Sequence, residues 1–199
     1  VSEFSRALKL LAKELQKNKD RLEFALDSGQ IGIWEWDLKQ NTFYGDQRTQ
    51  DIFEVYGGEQ EFRFQDFLNL LHPDDRRGID DQIEDCITSG CPFNSKFRII
   101  HADGSMHYIH AEGRVTYGDD GAPEQFIGVC HDFTESKLQE NALLESEQNF
   151  RSTFEQIAIG IALGAPDGSW LRGNNGLCEI VGYDSDELMK LTFQEITHP

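Results

Sequence analysis

Four residues able to do chemistry stand within five positions of GVCHDFTESK, residues 128–137: Cys130, His131, Asp132 and Thr134. A thiol, an imidazole and a carboxylate this close could serve as nucleophile, base and orienting acid, or could ligate a metal. The run that leads into them, PEQFIGVCHDF, reads as a strand, and side chains alternate along a strand. Phe126, Gly128, Cys130 and Asp132 then share one face, and Ile127, Val129, His131 and Phe133 share the other. Cys130 and His131 point apart, so neither activates the other and no catalytic residue is assigned. HPDD (His72, Pro73, Asp74, Asp75) also holds metal-ligand types, but Pro and paired acids suit the free amides and dipole of a helix start. No metal site is expected. The four cysteines, at 86, 91, 130 and 178, lack C-x-x-C spacing and read as free thiols rather than a zinc site or a disulfide scaffold.

The elements that must position these residues follow from periodicity. Phe4, Leu11, Asn18 and Ala25 fall seven apart, and so do Leu8, Leu15 and Leu22, offset by four. That is an a/d heptad seam over residues 1–22, with Asn18 at an a position where a polar residue fixes register and oligomer state. A homodimer through Phe4, Leu8, Leu11, Leu15, Asn18 and Leu22 is therefore expected. IGIWEWDL and TFYG alternate as strands around the turn KQN. Residues from about 47 to 89 read as short helices broken at Gly57-Gly58 and at His72-Pro73. Three strand candidates follow, CPFNSKFRII, MHYIHAEGRVTY and PEQFIGVCHDF, joined through HADGS and GDDGA, where Asp-Gly signals hairpins. Two strands, a helical middle and a three-strand meander make an α+β domain with one antiparallel sheet. A repeat then appears: IGIWEWDL at 31 has a partner in IGIALGAPDG at 159, and LLHP at 70 has one in ITHP at 196. The expected domains are a dimerisation helix at 1–22, a complete unit at 23–134, a helical linker at 135–153 and the front of a second unit at 154–199. The linker carries a stripe of Leu143, Phe150 and Ile157 at sevenfold spacing. The front of the second unit would hold a hairpin with Ile159, Ile161, Leu163 and Trp170 short of a core, and an isolated hairpin is marginal in water.

The net charge of −18 repels phosphate backbones and anionic lipid, so nucleic acid and membrane surfaces are not expected partners. No apolar run reaches the ~18 residues of a membrane span, and no signal peptide is visible. The chain begins with Val and reads as an internal piece of a longer, cytoplasmic protein.

The order and spacing of GIWEWD, LLHPDD, FRIIHADGSMHYI, GAPEQFIGVCHDFTESK and NNGLCEIVGYDSDEL resemble the PAS sensory family over residues 22 to 199. The resemblance implies a PAS fold: a five-stranded antiparallel sheet with helices over one face, here preceded by the coiled-coil-like helix. It implies sensing of a small molecule, light or redox state upstream of a histidine kinase, a diguanylate cyclase or a phosphodiesterase. Asp132 and Thr134 match the D-x-T that closes most such domains, with Phe133 where the family usually has Ile or Val, and so would hold the relay into the next helix. Aligned on the family's first strand, Trp34 and Trp36 both point inward. With Ile109, Ala111, Phe126 and Cys130 they are the candidate pocket residues, and the two indoles either fill the cavity or wall a smaller one. In the flavin-binding light sensors of the family, polar residues stand where this chain has Cys130 and Ile109, and the stretch with the photoreactive Cys is missing here. His107 and His110, three apart on a strand, face opposite ways, which weakens a haem reading that would also use His101. YGGEQEF at 56–62 echoes the G-G-D/E-E-F of diguanylate cyclases with spoiled spacing and is taken as chance.

The expected function is signal reception and relay in a bacterial multidomain regulator, without catalysis in these residues and with the output domain beyond Pro199. Partners are that output domain, a second copy and a small-molecule ligand, and no cofactor is expected. The alternatives are an FAD- or haem-binding redox, gas or light sensor, and a purely structural dimerisation module.

Overall fold

In the computed structural model, which describes residues 2–55, 62–166 and 168–196, the alternating runs pair as one antiparallel sheet. Strand β1 (Ile31–Asp37) is followed by β2 (Thr42–Gly45). Three helices intervene, α2 (Gln47–Phe53), α3 (Phe64–Leu70) and α4 (Pro73–Ser89), before β3 (Phe93–Ile100), β4 (Met106–Tyr117) and β5 (Pro123–Asp132). The strand order is β2-β1-β5-β4-β3, so the last strand lies in the middle of the sheet. Gly104 at φ 85 and Gly121 at φ 74 supply the left-handed conformation that the two meander turns need. The expected break at Gly57-Gly58 and most of YGGEQEF fall outside the described residues. The break at His72-Pro73 is where α4 begins: the His72 ring accepts from the Asp74 amide, and Pro73 stands at the first position.

Register makes the core. Trp34 is opposite Gly128 and Trp36 opposite Phe126, while Val115 pairs with Phe126 and Phe97 with Ile109. These positions share the face that the helices cover, and Ile52, Phe53, Phe67, Leu71, Ile79 and Ile83 pack down on it. Gly113 and Gly128 are partners on adjacent strands. A Cβ on Gly113 would lie 2.7 Å from the Trp34 ring, and one on Gly128 would collide with that ring and the Glu112 carbonyl. The two glycines thus make room for an indole laid flat on the sheet.

The opening helix α1 spans Ser2–Gly29. It runs seven residues past the boundary expected at 22, because nothing in RLEFALDSG breaks a helix; Gln30, at φ 51, ends it. Phe4, Leu8, Leu11, Leu15 and Leu22 are all exposed, from 51% to 74%. Among the described residues nothing covers this seam.

A second compact unit covers residues 138–199, the first being 1–137. Helix α5 (Thr134–Gln156) begins at the end of the first and continues into the second, longer at both ends than the linker expected at 135–153. The second unit adds a hairpin of β6 (Ala162–Gly164) and β7 (Trp170–Gly173), then α6 (Asn175–Val181), α7 (Ser185–Leu188) and α8 (Phe193–Ile196). Its buried residues include Phe154, Asn174 and Leu188. Asn174 is fully buried, donates to the carbonyls of Phe154 and Ile159, and accepts from the amides of Ile161 and Leu177. Ile159 and Leu163 stay exposed at 70% and 49%, whereas Ile161 and Trp170 are half-buried.

Candidate functional site

Between the inner face of the sheet and α2–α4 there remains a cavity of about 280 Å³. Trp34 and Trp36 wall it rather than fill it, and the reason is stacking. Trp36 is sandwiched between Phe43, 5.1 Å away at 7°, and Phe64, 4.5 Å away at 8°. Its ring nitrogen donates to Asn41 at 3.1 Å, which turns the indole sideways into the wall. Trp34 stands edge-on to Phe126 at 5.2 Å. Ala111, on β4, is small and leaves space where a larger side chain would close it.

Four of the six expected pocket residues, Trp34, Trp36, Ala111 and Phe126, line the cavity; Ile109 and Cys130 do not. Both are on the correct face and fully buried, but outside the lining. Gly32 lets Thr49 approach so closely that its hydroxyl donates to the Ile33 carbonyl at 2.8 Å and stands 3.7 Å from the Cys130 sulfur. Burial there pushes the Cys130 thiol up to about 11 and keeps it neutral. Sequence reasoning missed the wall contributed by β2, the helices and β3, notably Phe43, Phe53, Phe67, Phe93 and Phe97. A signal was present: half of the chain's 14 phenylalanines lie between 43 and 97.

The polar groups facing this space are few. The Thr42 hydroxyl bonds that of Tyr44 at 3.3 Å, and the Gln50 amide donates to the Gly45 carbonyl at 2.8 Å. The described lining contains no His, Cys or Met and no charged side chain. A haem iron takes its axial ligand from His, Cys, Met or Tyr, and of these types the described lining holds only Tyr44, whose hydroxyl already accepts from Thr42. The histidines lie elsewhere. His110 points to the opposite face and bonds Asn94 at 3.0 Å. His101 and His107 stack at 4.0 Å between centroids, with His101 against the Ile52 carbonyl at 2.9 Å and His107 against Asp132 at 2.8 Å.

Asp132 is the hub of a second feature, the exit from the sheet. One oxygen accepts from the Thr134 amide at 2.8 Å and from the Thr134 hydroxyl; the other accepts from His107 Nδ1. A carboxylate only accepts, so the His107 proton is on Nδ1. The Thr134 hydroxyl in turn accepts from the Tyr108 amide at 2.8 Å, and the Phe133 amide donates to the Tyr108 carbonyl at 3.0 Å. Burial raises the Asp132 carboxyl, but the bonds from Thr134 and His107 outweigh it, and the group stays below its ordinary range. The first turn of α5 is thereby tied to β4 and β5 by side chains of both residues. HPDD has a comparable structural use: Asp75 takes the Arg98 guanidinium at both oxygens, and one of them also takes the Arg98 amide.

Comparison with known proteins agrees with this architecture. Residues 43–130 match the family profile described as the PAS fold. The chain is 31% identical over 146 residues to "Probable diguanylate cyclase DgcE" of Escherichia coli, across 73% of this chain and 13% of that protein. It is 26% identical over 127 residues to the sensor protein FixL of Bradyrhizobium diazoefficiens, across 64% of this chain and 25% of the relative. The chain thus spans a quarter or less of the length of these relatives. The crystal structure of a sensory box histidine kinase/response regulator from Burkholderia thailandensis superposes with a TM-score of 0.53 at 22% identity, over 66% of this chain and 98% of that one. Residues 43–130, within the first unit, thus form a domain of the PAS family.

Proposed function

We propose that the chain is the sensory input segment of a multidomain bacterial signalling protein, and that its PAS domain receives a small, mostly apolar ligand in the aromatic cavity. The observation that carries this reading is the cavity itself. Its 280 Å³ lies at the small end of ligand pockets, and such pockets are apolar with a few placed polar groups. Thr42, Tyr44, Thr49 and Gln50 are those groups here. The ligand would be neutral and one or two rings in size, because an anion or a cation would lose its hydration with no counter-charge in the described lining. A flavin or haem sensor has less support, since the described lining offers only Tyr44 as an axial ligand type and no run of polar groups. The signal would pass through Asp132 and Thr134 into α5. The output would be a kinase or cyclase domain elsewhere in the same cytoplasmic protein, with no catalysis in these residues. Residues 154–199 are read as the front of a second PAS unit, in keeping with the hairpin and helix order found there. A parallel homodimer through α1 is supported by the exposed heptad seam and by Ile33 and Val129, which are 39% and 37% exposed on the uncovered face of the sheet. No helix among the described residues is long and apolar enough to cross a membrane.

Calorimetric titration with indole and with naphthalene tests the cavity. Saturable binding that Ala111→Phe abolishes, in a variant that still folds, is the expected result. Absence of saturable binding for both probes, or equal binding by the variant, would refute the reading.

A further inference from the structure

Cys86 and Cys91 are both free, but they are not independent: their sulfurs stand 3.1 Å apart. The geometry comes from the end of α4. The helix stops at Ser89, and Gly90, at φ 74, donates its amide back to the Cys86 carbonyl. The chain therefore turns on itself, and Cys91 returns over the last helical turn. Cys86 is 3% exposed, whereas Cys91 is open to solvent. A disulfide needs its sulfurs at about 2.05 Å, so this pair has to close by about 1 Å. Pro92 then leads directly into β3.

We propose that Cys86 and Cys91 are a redox-active dithiol that a small-molecule disulfide converts into an intrachain disulfide. Exposure makes Cys91 the attacking thiol. The Ser89 hydroxyl, and then the Cys86 thiol, hold it below the usual thiol range. Burial, followed by the bond to Cys91, pushes Cys86 up to about 12, so Cys86 keeps its proton until the second step. In the first step the Cys91 thiolate attacks one sulfur of the small disulfide. That S–S bond breaks, a mixed disulfide forms on Cys91, and one small thiolate leaves and is protonated. In the second step the Cys86 sulfur attacks Cys91, the second small thiolate leaves, and it takes up the Cys86 proton. Two protein thiols are oxidised, and one small disulfide is reduced to two thiols. The bond ties the last turn of α4 to the start of β3. Ile83 and Phe93 lie on either side of it and both line the cavity, so the redox state of the pair reaches the ligand site. The pair itself does not depend on the sensor reading.

Oxidised glutathione, added to the folded full chain, is the test. Both cysteines fall in one tryptic peptide, Gly78–Lys96, which has no internal Lys or Arg. After alkylation without reductant, this peptide should appear unalkylated and about two mass units lighter than the dithiol, and dithiothreitol should reverse the change. Cys86→Ser should trap a glutathione adduct on Cys91, and Cys91→Ser should leave Cys86 unmodified. The proposal fails if the wild-type peptide stays a dithiol while Cys178 is modified, or if the only disulfide found joins two chains.

Discussion

Replacing Asp132 with Ala removes three bonds at the exit from the sheet: two from Thr134 and one from His107. Loss of a side-chain acceptor at a helix start costs about 1 kcal/mol. A hydrogen bond to a charged group contributes about 1.5–3 kcal/mol. The Asp132 and His107 side chains are each 27% exposed, so water satisfies part of what is lost. The His107 bond then counts near the bottom of its range, and the total is about 2.5 kcal/mol for Asp132→Ala. Asp132→Asn keeps one acceptor for the Thr134 amide, and its own amide can donate to Nδ1 of a neutral His107 whose proton has moved to Nε2, so about 1 kcal/mol is expected. Urea unfolding followed by tryptophan fluorescence reads both numbers as shifts in midpoint at constant slope. Hydrogen exchange adds the local readout: amides in the first turn of α5 should exchange faster in Asp132→Ala, while β3 and β4 change only by the global loss. If Asp132→Ala stays within about 0.5 kcal/mol of the parent, or the first turn of α5 exchanges unchanged, the junction does not hold the helix as described.

Phe126→Ala, at a side chain 1% exposed with ring partners in Trp34, Trp36 and Phe93, should cost about 3–5 kcal/mol in the same assay; a loss below 1 kcal/mol would mean that this ring is not in the core. Asp75, held below its ordinary 3.8 mainly by the Arg98 hydrogen bond, and Asp132, held low by Thr134 and His107, both stabilise the fold above the ordinary carboxyl range. That contribution disappears as pH falls through their lower folded values, so the urea midpoint should drop below about pH 4. Asp75→Asn should make the drop shallower, and an identical acid profile for the variant would contradict the pairing. Leu11→Lys and Leu15→Lys together should convert a dimer into a monomer in light scattering at tens of micromolar, and a parent that is already monomeric there would rule out the α1 seam.

Periodicity and turn chemistry alone determined the elements. Period two in IGIWEWD and PEQFIGVC, Asp-Gly at the meander turns and Pro73 at a helix start are local physics. Such signals act between neighbouring residues and are read without knowing what lies across from them. Alternation also separated Cys130 from His131 and placed Asp132 on the inner face. What remained illegible depends on residues far apart in the chain. Whether Trp34 and Trp36 fill or wall a cavity was decided by Phe43 and Phe64 stacking on one indole and by Gly113 and Gly128 admitting the other. The place of Cys130 outside the lining goes with Thr49, which packs against its sulfur because residues 32 and 45 are both glycine. The pairing of Cys86 with Cys91 depends on a single left-handed turn at Gly90, whose direction cysteine spacing does not reveal. Sequence patterns record which face a side chain takes, because that is a property of neighbouring bonds. Packing across the core decides how much room is left on that face, because close-packed side chains compete for the same volume.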